Sequence, residues 1–130
     1  MHFLKTLLVS IVLLGSLCSK KPPQPPTKIR SQQLMYEYLP NLGAGDVKYK
    51  GKELLVKGSI VKAEPENGVV MLQGIPSGIT NVVVCHFADD ITRNAITDAS
   101  ENQEIIVQGV NTGWSYEGVH LRPCRISKDQ

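Results

Sequence analysis

Aromatic side chains are scarce in this chain: two Phe, four Tyr and one Trp make up 5% of its 130 residues. Any aromatic recognition surface must therefore rest on one or two rings, whereas a groove that stacks many bases needs several. Cysteine is scarcer still, with three residues and no C-x-x-C pair. H-E-x-x-H, G-x-S-x-G and a phosphate-binding glycine loop are absent as well, which removes the signatures of zinc hydrolases, serine hydrolases and nucleotide triphosphatases. No uninterrupted apolar run reaches the ~20 residues of a comfortable membrane span. The expectation is a protein without enzymatic activity, cofactor or metal, small enough to form a single domain with one core.

What is present begins with an unusual leader. MHFLKTLLVSIVLLGSLC carries Lys5, then an apolar run from Leu7 to Leu14, then the small residues Gly15 and Ser16 just before Cys18. Charge, apolar core and small residues in that order have the layout of a signal peptide over residues 1–18. A buried amphipathic helix is the competing reading, but no charge interrupts positions 6–17 to give such a helix a polar face. Cys18, directly after the apolar core, also resembles the lipidation site of a bacterial lipoprotein, although Leu17 stands where such sites carry a small residue. A lipid-anchored form and a freely secreted form thus remain alternatives. In both, the chain is exported to the periplasm or cell envelope, where disulfides form and persist.

Residues 19–30, SKKPPQPPTKIR, have the composition of an extended, solvated tether, with four prolines and four cations. Pro22 and Pro25 would also fit a P-x-x-P ligand, but a spacer is the commoner use of such a stretch. The folded domain is expected over 31–130. From Ser31 onward nine Lys and Arg face twelve Asp and Glu, a formal charge of -3. The basic surplus of the whole chain therefore belongs to leader and tether.

Within the domain, apolar residues at 34, 35, 38, 39 and 42 predict a helix starting near Ser31 as its cap and ending or kinking at Pro40 and Gly43. KELLVKGSIVKAE alternates, with Leu54, Val56, Gly58 and Ile60 on one face and Lys57, Ser59 and Lys62 on the other. Gly58 predicts a bend or bulge. Asn67-Gly68 is a hairpin signal into VVMLQ. NVVVCHF forms a third strand. DDITRNAITDAS then reads as a short helix capped by Asp90, with Ile91, Ala95, Ile96 and Ala99 on one face. EIIVQGV and GVHLRPCRI complete five strands, the last with a bulge at Pro123.

Three strands, a helix and two strands, with a helix in front, predict an all-β fold: a five-stranded OB-fold Greek-key barrel with an N-terminal helix and a short helix between strands 3 and 4. The run YKGKELLVKGSIVKAE, NVVVCHF, EIIVQGV, GVHLRPCRI resembles the tRNA_anti-like family of small bacterial OB-fold domains, from about Tyr36 to Ile126. The residues that carry the resemblance are the Tyr49-Lys50-Gly51-Lys52 lead-in, Gly58, Cys85-His86-Phe87 and Cys124. Asn102-Gln103 stands where the family more often has a glycine, and Asn tolerates a left-handed backbone. The resemblance implies an OB fold, often behind an export signal. The ligand of such exported domains is left open.

Two binding classes follow. As a nucleic-acid module, the barrel would use Phe87, Trp114 and Tyr116 as stacking platforms, with Lys48, Lys50, Lys52, Lys57 and Lys62 along the first strand. Against it stand the acidic domain and the export signal, which make nucleic acid an unexpected partner. As an envelope interaction module, the barrel would meet a protein, a glycan or a small ligand, with Trp114 and Tyr116 in GWSYEG at the recognition edge; packing over the barrel end is the plainer role for these rings. His86 and His120, on separate strands, read as barrel-surface residues. Asp89 and Asp90 read as a helix cap and its solvated neighbour.

The third and fifth strands of an OB barrel are neighbours, so Cys85 and Cys124 are expected to form a disulfide, with the bulge at Pro123 turning Cys124 toward its partner. Buried free thiols or a metal-binding pair are the alternatives.

Overall fold

The computed structural model describes residues 24–75, 80–97 and 101–127. The leader, Cys18 and Ala99 lie outside them.

Strand β2 (Glu53–Glu64) organises the barrel because it is long enough to serve two partners. Its first part, Glu53 to Ser59, pairs antiparallel with β5 (Glu104–Ser115), and Ile60 to Glu64 pair antiparallel with β3 (Val69–Leu72). β3 pairs with β4 (Val82–Phe87), β4 runs parallel to β6 (Gly118–Ile126), and β6 returns antiparallel to β5. The ring β2-β3-β4-β6-β5 closes, a five-stranded mixed barrel consistent with the OB-fold. Closure leaves none of these five strands as a sheet edge, which removes a common route to edge-to-edge aggregation.

The alternation expected of β2 holds. Leu54, Val56 and Ile60 point inward and meet Val70 and Leu72, Val83 and Cys85, Val107, and Val119, Leu121 and Cys124. α1 (Ser31–Tyr38) adds Leu34, Met35 and Tyr38 to this core, and α3 (Asp90–Thr97) adds Ile96.

Four local expectations are corrected. The tether is shorter than its composition suggests, because β1 (Thr27–Arg30) pairs parallel with Leu54 to Lys57 and puts Ile29 into the core. The folded part therefore begins before Ser31. With Lys28 and Arg30 included it holds eleven Lys and Arg against twelve Asp and Glu, a formal charge of -1. Ser31 does not cap α1: Arg30 holds the cap position without a side-chain bond, and the Ser31 hydroxyl donates to the Gln73 carbonyl at 2.6 Å. That contact also explains Gly58, where a Cβ would come within 2.1 Å of Ser31 Oγ; the register shift lies further on, between Ile60 and Lys62.

The third correction is a second helix, α2 (Leu42–Tyr49), where an ending was expected. Asn41 caps it by accepting from the Ala44 N–H, and Gly45 gives the Tyr38 ring room, since a Cβ there would lie 2.4 Å from it. The fourth concerns α3. Its cap is Asp89, which accepts from the Thr92 N–H at 2.8 Å, and its buried face is Thr92 and Ile96. Ile91 and Ala95 point to solvent. Asn102 adopts φ 69°, the left-handed conformation expected of it.

Candidate functional site

β4 and β6 run side by side, and their inward residues set what faces outward. Cys85 and Cys124 are joined by a disulfide with a Cα separation of 5.4 Å, both fully withdrawn from water. Cys85 pairs with Leu121 but Phe87 pairs with Cys124, so Arg122 and Pro123 form a bulge that re-aims Cys124. With Val83, Cys85, Val119 and Leu121 inside, strand alternation directs Val84, His86 and His120 to the outer face.

There the two histidines meet. Arg122 donates to His86 Nδ1 at 3.0 Å, and His86 Nε2 lies 2.8 Å from His120 Nδ1, with the rings 5.1 Å apart and nearly parallel. A guanidinium can only donate, so His86 Nδ1 accepts. The proton of neutral His86 then sits on Nε2 and is donated to His120 Nδ1, which leaves the His120 proton on Nε2. That nitrogen is buried without a well-formed hydrogen bond, although the Ser115 backbone is close enough to favour the charged ring. Burial, and then the charge of Arg122, push His86 down to about 4; burial likewise lowers His120. Near neutral pH the array is a relay of neutral rings anchored by one cation.

Beyond the relay the face turns apolar. Val69 pairs with His86 and Met71 with Val84, both half-buried, and past them Lys62 and Glu64 form an ion pair at 2.8 Å. Among the described residues no group of three or more His, Cys, Asp or Glu lies together as a metal-binding cluster, and no helix is long and apolar enough to cross a membrane.

The aromatic candidates do not converge. Phe87 ends β4 opposite Cys124 and packs on the core. Trp114 pairs with Val119, near the other end of β4, roughly 15 Å away at ~3.3 Å per residue. Its ring lies against Tyr38, with centroids 6.0 Å apart, and it too packs on the core. Tyr116 alone projects into water, 99% exposed in the tight β5-β6 turn. The lysine series is also dispersed: Lys48 pairs with Glu37, Lys57 with Glu104 and Lys62 with Glu64. Arg122 and the contact between the histidines escape a reading of the sequence. The signal was available, because once strands 3 and 5 are neighbours stapled at Cys85 and Cys124, His86 must lie near His120 and Arg122.

No curated protein matches the chain. Among solved structures it is similar to an OBody, AM1L10, bound to hen egg-white lysozyme, at 17% identity and a TM-score of 0.46 over 85% of this chain and 100% of that one. The tRNA_anti-like family model matches residues 16–125, which takes in the whole closed barrel up to Arg125. A barrel of this strand order, matched over that length, places the chain in the tRNA_anti-like family.

Proposed function

We propose that this protein is a non-enzymatic binding module of the cell envelope, and that its outer β3-β4-β6 face receives a neutral, hydrogen-bonding ligand such as a glycan or a protein segment. The observation that carries this reading is the Arg122–His86–His120 relay beside Val69 and Met71. It offers fixed polar groups next to an apolar strip, the mixture found in binding sites. The disulfide suits an oxidising compartment beyond the cytoplasm, and the leader supplies the route. Membrane contact in this reading runs only through the leader or a lipid on Cys18.

A second reading, binding of single-stranded nucleic acid, draws on the family match. The face does not favour it, since Tyr116 is the one freely exposed ring of the three candidates and Lys62 is already paired with Glu64. One experiment separates the two. A photo-crosslinking residue at Met71 should capture a protein or glycan from the native envelope, and Arg122→Ala should abolish the capture. Oligonucleotides should bind weakly at physiological salt, with a shallow salt dependence, because phosphate neutralisation supplies most non-specific affinity. Micromolar oligonucleotide binding with a steep salt slope would transfer the function to the second reading.

A further inference from the structure

Across the barrel from the relay, β1 adds a feature that the five-stranded ring does not need. On the outer surface of β1, β2 and β5 lies a groove of about 260 Å³ bordered by Lys28, Arg30, Gln33 and Lys57, with Leu55 and Ile106 at its floor. Strand pairing sets Lys28 beside Leu55 and Arg30 beside Lys57, with Ile106 across from Lys57. Arg30 and Lys57 also line a second, smaller cavity of about 40 Å³ with Ser31, Ser59 and Gln73. The two cations thus stand between an apolar trough and a small polar recess. Both already share one anion, the Glu104 carboxylate, at 3.0 Å from Arg30 and 3.4 Å from Lys57.

Cations on an edge strand also deter unwanted strand pairing. That role accounts for Lys28 and Arg30 on β1, but it needs neither an apolar floor nor a cation on β2, which is paired on both sides. A carboxylate held by two cations beside an apolar trough has the pattern of an anionic amphiphile's site with the protein's own carboxylate in the headgroup position.

We propose that the β1-β2-β5 groove binds an organic phosphate with an apolar body, its headgroup on Arg30 and Lys57 in competition with Glu104 and its apolar part on Leu55 and Ile106. Lys28 adds a third cation at the rim. The apolar body distinguishes this site from a general affinity for anions, because inorganic phosphate would use only the charged end. A free alkyl phosphate and a phospholipid headgroup share this chemistry.

Calorimetric titration of the full chain with hexyl phosphate tests the proposal. Saturable binding is expected, tighter than that of inorganic phosphate. Arg30→Gln and Lys57→Gln should each weaken it by about threefold to fivefold, the scale of an exposed ion pair. Arg93→Gln, on α3, should leave it unchanged. Glu104→Gln should tighten binding, whereas a purely structural ion-pair triad would only lose stability on that change. Competition with vesicles of phosphatidylglycerol distinguishes the sources: displacement of hexyl phosphate assigns the site to a lipid surface, and no displacement assigns it to a free amphiphile. No saturable binding, binding that survives both cation changes, or inorganic phosphate binding as tightly as hexyl phosphate would overturn the proposal. The groove shares no residue with the β3-β4-β6 face, so its failure would leave that face's assignment untouched.

Discussion

The β4-β6 seam and the N-terminal layer of β1, α1 and α2 are both attached to the same barrel, but by different means. The seam is covalent, with Cys85 and Cys124 joining two parallel neighbours. In the N-terminal layer β1 is held by strand pairing, and α1 and α2 by apolar packing together with a polar network around one buried ring. Asn111 donates to the Tyr38 hydroxyl at 2.9 Å, the Gly113 N–H donates back to Asn111, and Asp46 of α2 accepts from the Trp114 N–H. Burial pushes the Tyr38 hydroxyl up to about 12, so at any physiological pH it stays neutral and can donate to the Asp46 carboxylate while it accepts from Asn111. The contrast separates two ways of fixing structure. A disulfide acts largely on the unfolded chain by limiting its freedom, whereas a buried network acts in the folded state and fails when one partner is left unsatisfied.

Breaking the seam should have the larger effect. The bridge spans a sequence separation of 39, and for a loop of that length the chain-entropy model gives a stabilisation of about 3–4 kcal/mol. Cys85→Ser with Cys124→Ser, or a reductant, should lower stability by about that amount in urea unfolding, with the midpoint moving more than the slope. Unchanged stability on reduction would mean that the unfolded chain is already restrained near these residues.

Tyr38→Phe should be the next largest. It removes one oxygen and no ring, so the stacking on Tyr49 and Trp114 remains while Asn111 loses its acceptor. A buried amide left unpaired costs about 1–3 kcal/mol. Combined with the cysteine changes, the loss should add to theirs, because no side-chain hydrogen bond joins the Tyr38 network to the disulfide, although Leu121 pairs with both Cys85 and Asn111 and is a route by which the two could couple. A loss much smaller than additive would show that the barrel couples seam and layer, and the comparison would have to be redrawn.

The same contrast governs what could be read from the sequence. In β2, Leu54, Val56 and Ile60 alternate because one face of the strand is buried, and the alternation is visible without knowing the partner. The Cys85–Cys124 pairing is legible from the strand order together with a leader whose signal-peptide layout predicts an oxidising compartment. The N-terminal layer was much less legible. TKIR has a single apolar residue, Ile29, so four residues after a proline run look like tether until β2 is there to pair them. α2 contains two glycines, which lower helix propensity, and Gly45 is needed for a contact with Tyr38 that no local pattern records. The site divides in the same way. Its residue types stood out, but the packing of the half-buried Trp114 ring against Tyr38 is not visible in the sequence, and the relay exists only in the parallel register of β4 and β6.

Acid provides the smallest and most local test, because it acts on the outside of the seam and leaves the disulfide intact. His86 has its proton affinity depressed on folding, from the ordinary 6.5 to about 4, first by burial and then by Arg122 and His120. Protonation of Nδ1 would set an N–H against the Arg122 donor, and protonation of His120 Nδ1 would do the same against His86 Nε2–H, so one added proton breaks one bond of the relay. Between pH 6.5 and 4 the unfolded chain therefore binds more protons than the folded one, and stability rises with pH across that window. The contribution is complete above the unfolded value and is lost as pH falls toward 4. Glu37, Glu64, Asp89 and Glu104 are themselves held below their ordinary values, so their loss on acidification begins lower, near 4.5 and under. The range from 6.5 to 5 thus reports mainly on the histidines. His86→Gln, which keeps a side-chain donor and acceptor but does not titrate, should flatten the pH dependence of the melting temperature there while changing it little at pH 7.5. An equally steep fall in a variant that also carries His120→Gln would place the acid sensitivity outside the relay, and the β3-β4-β6 face would lose the fixed tautomers on which its ligand recognition depends.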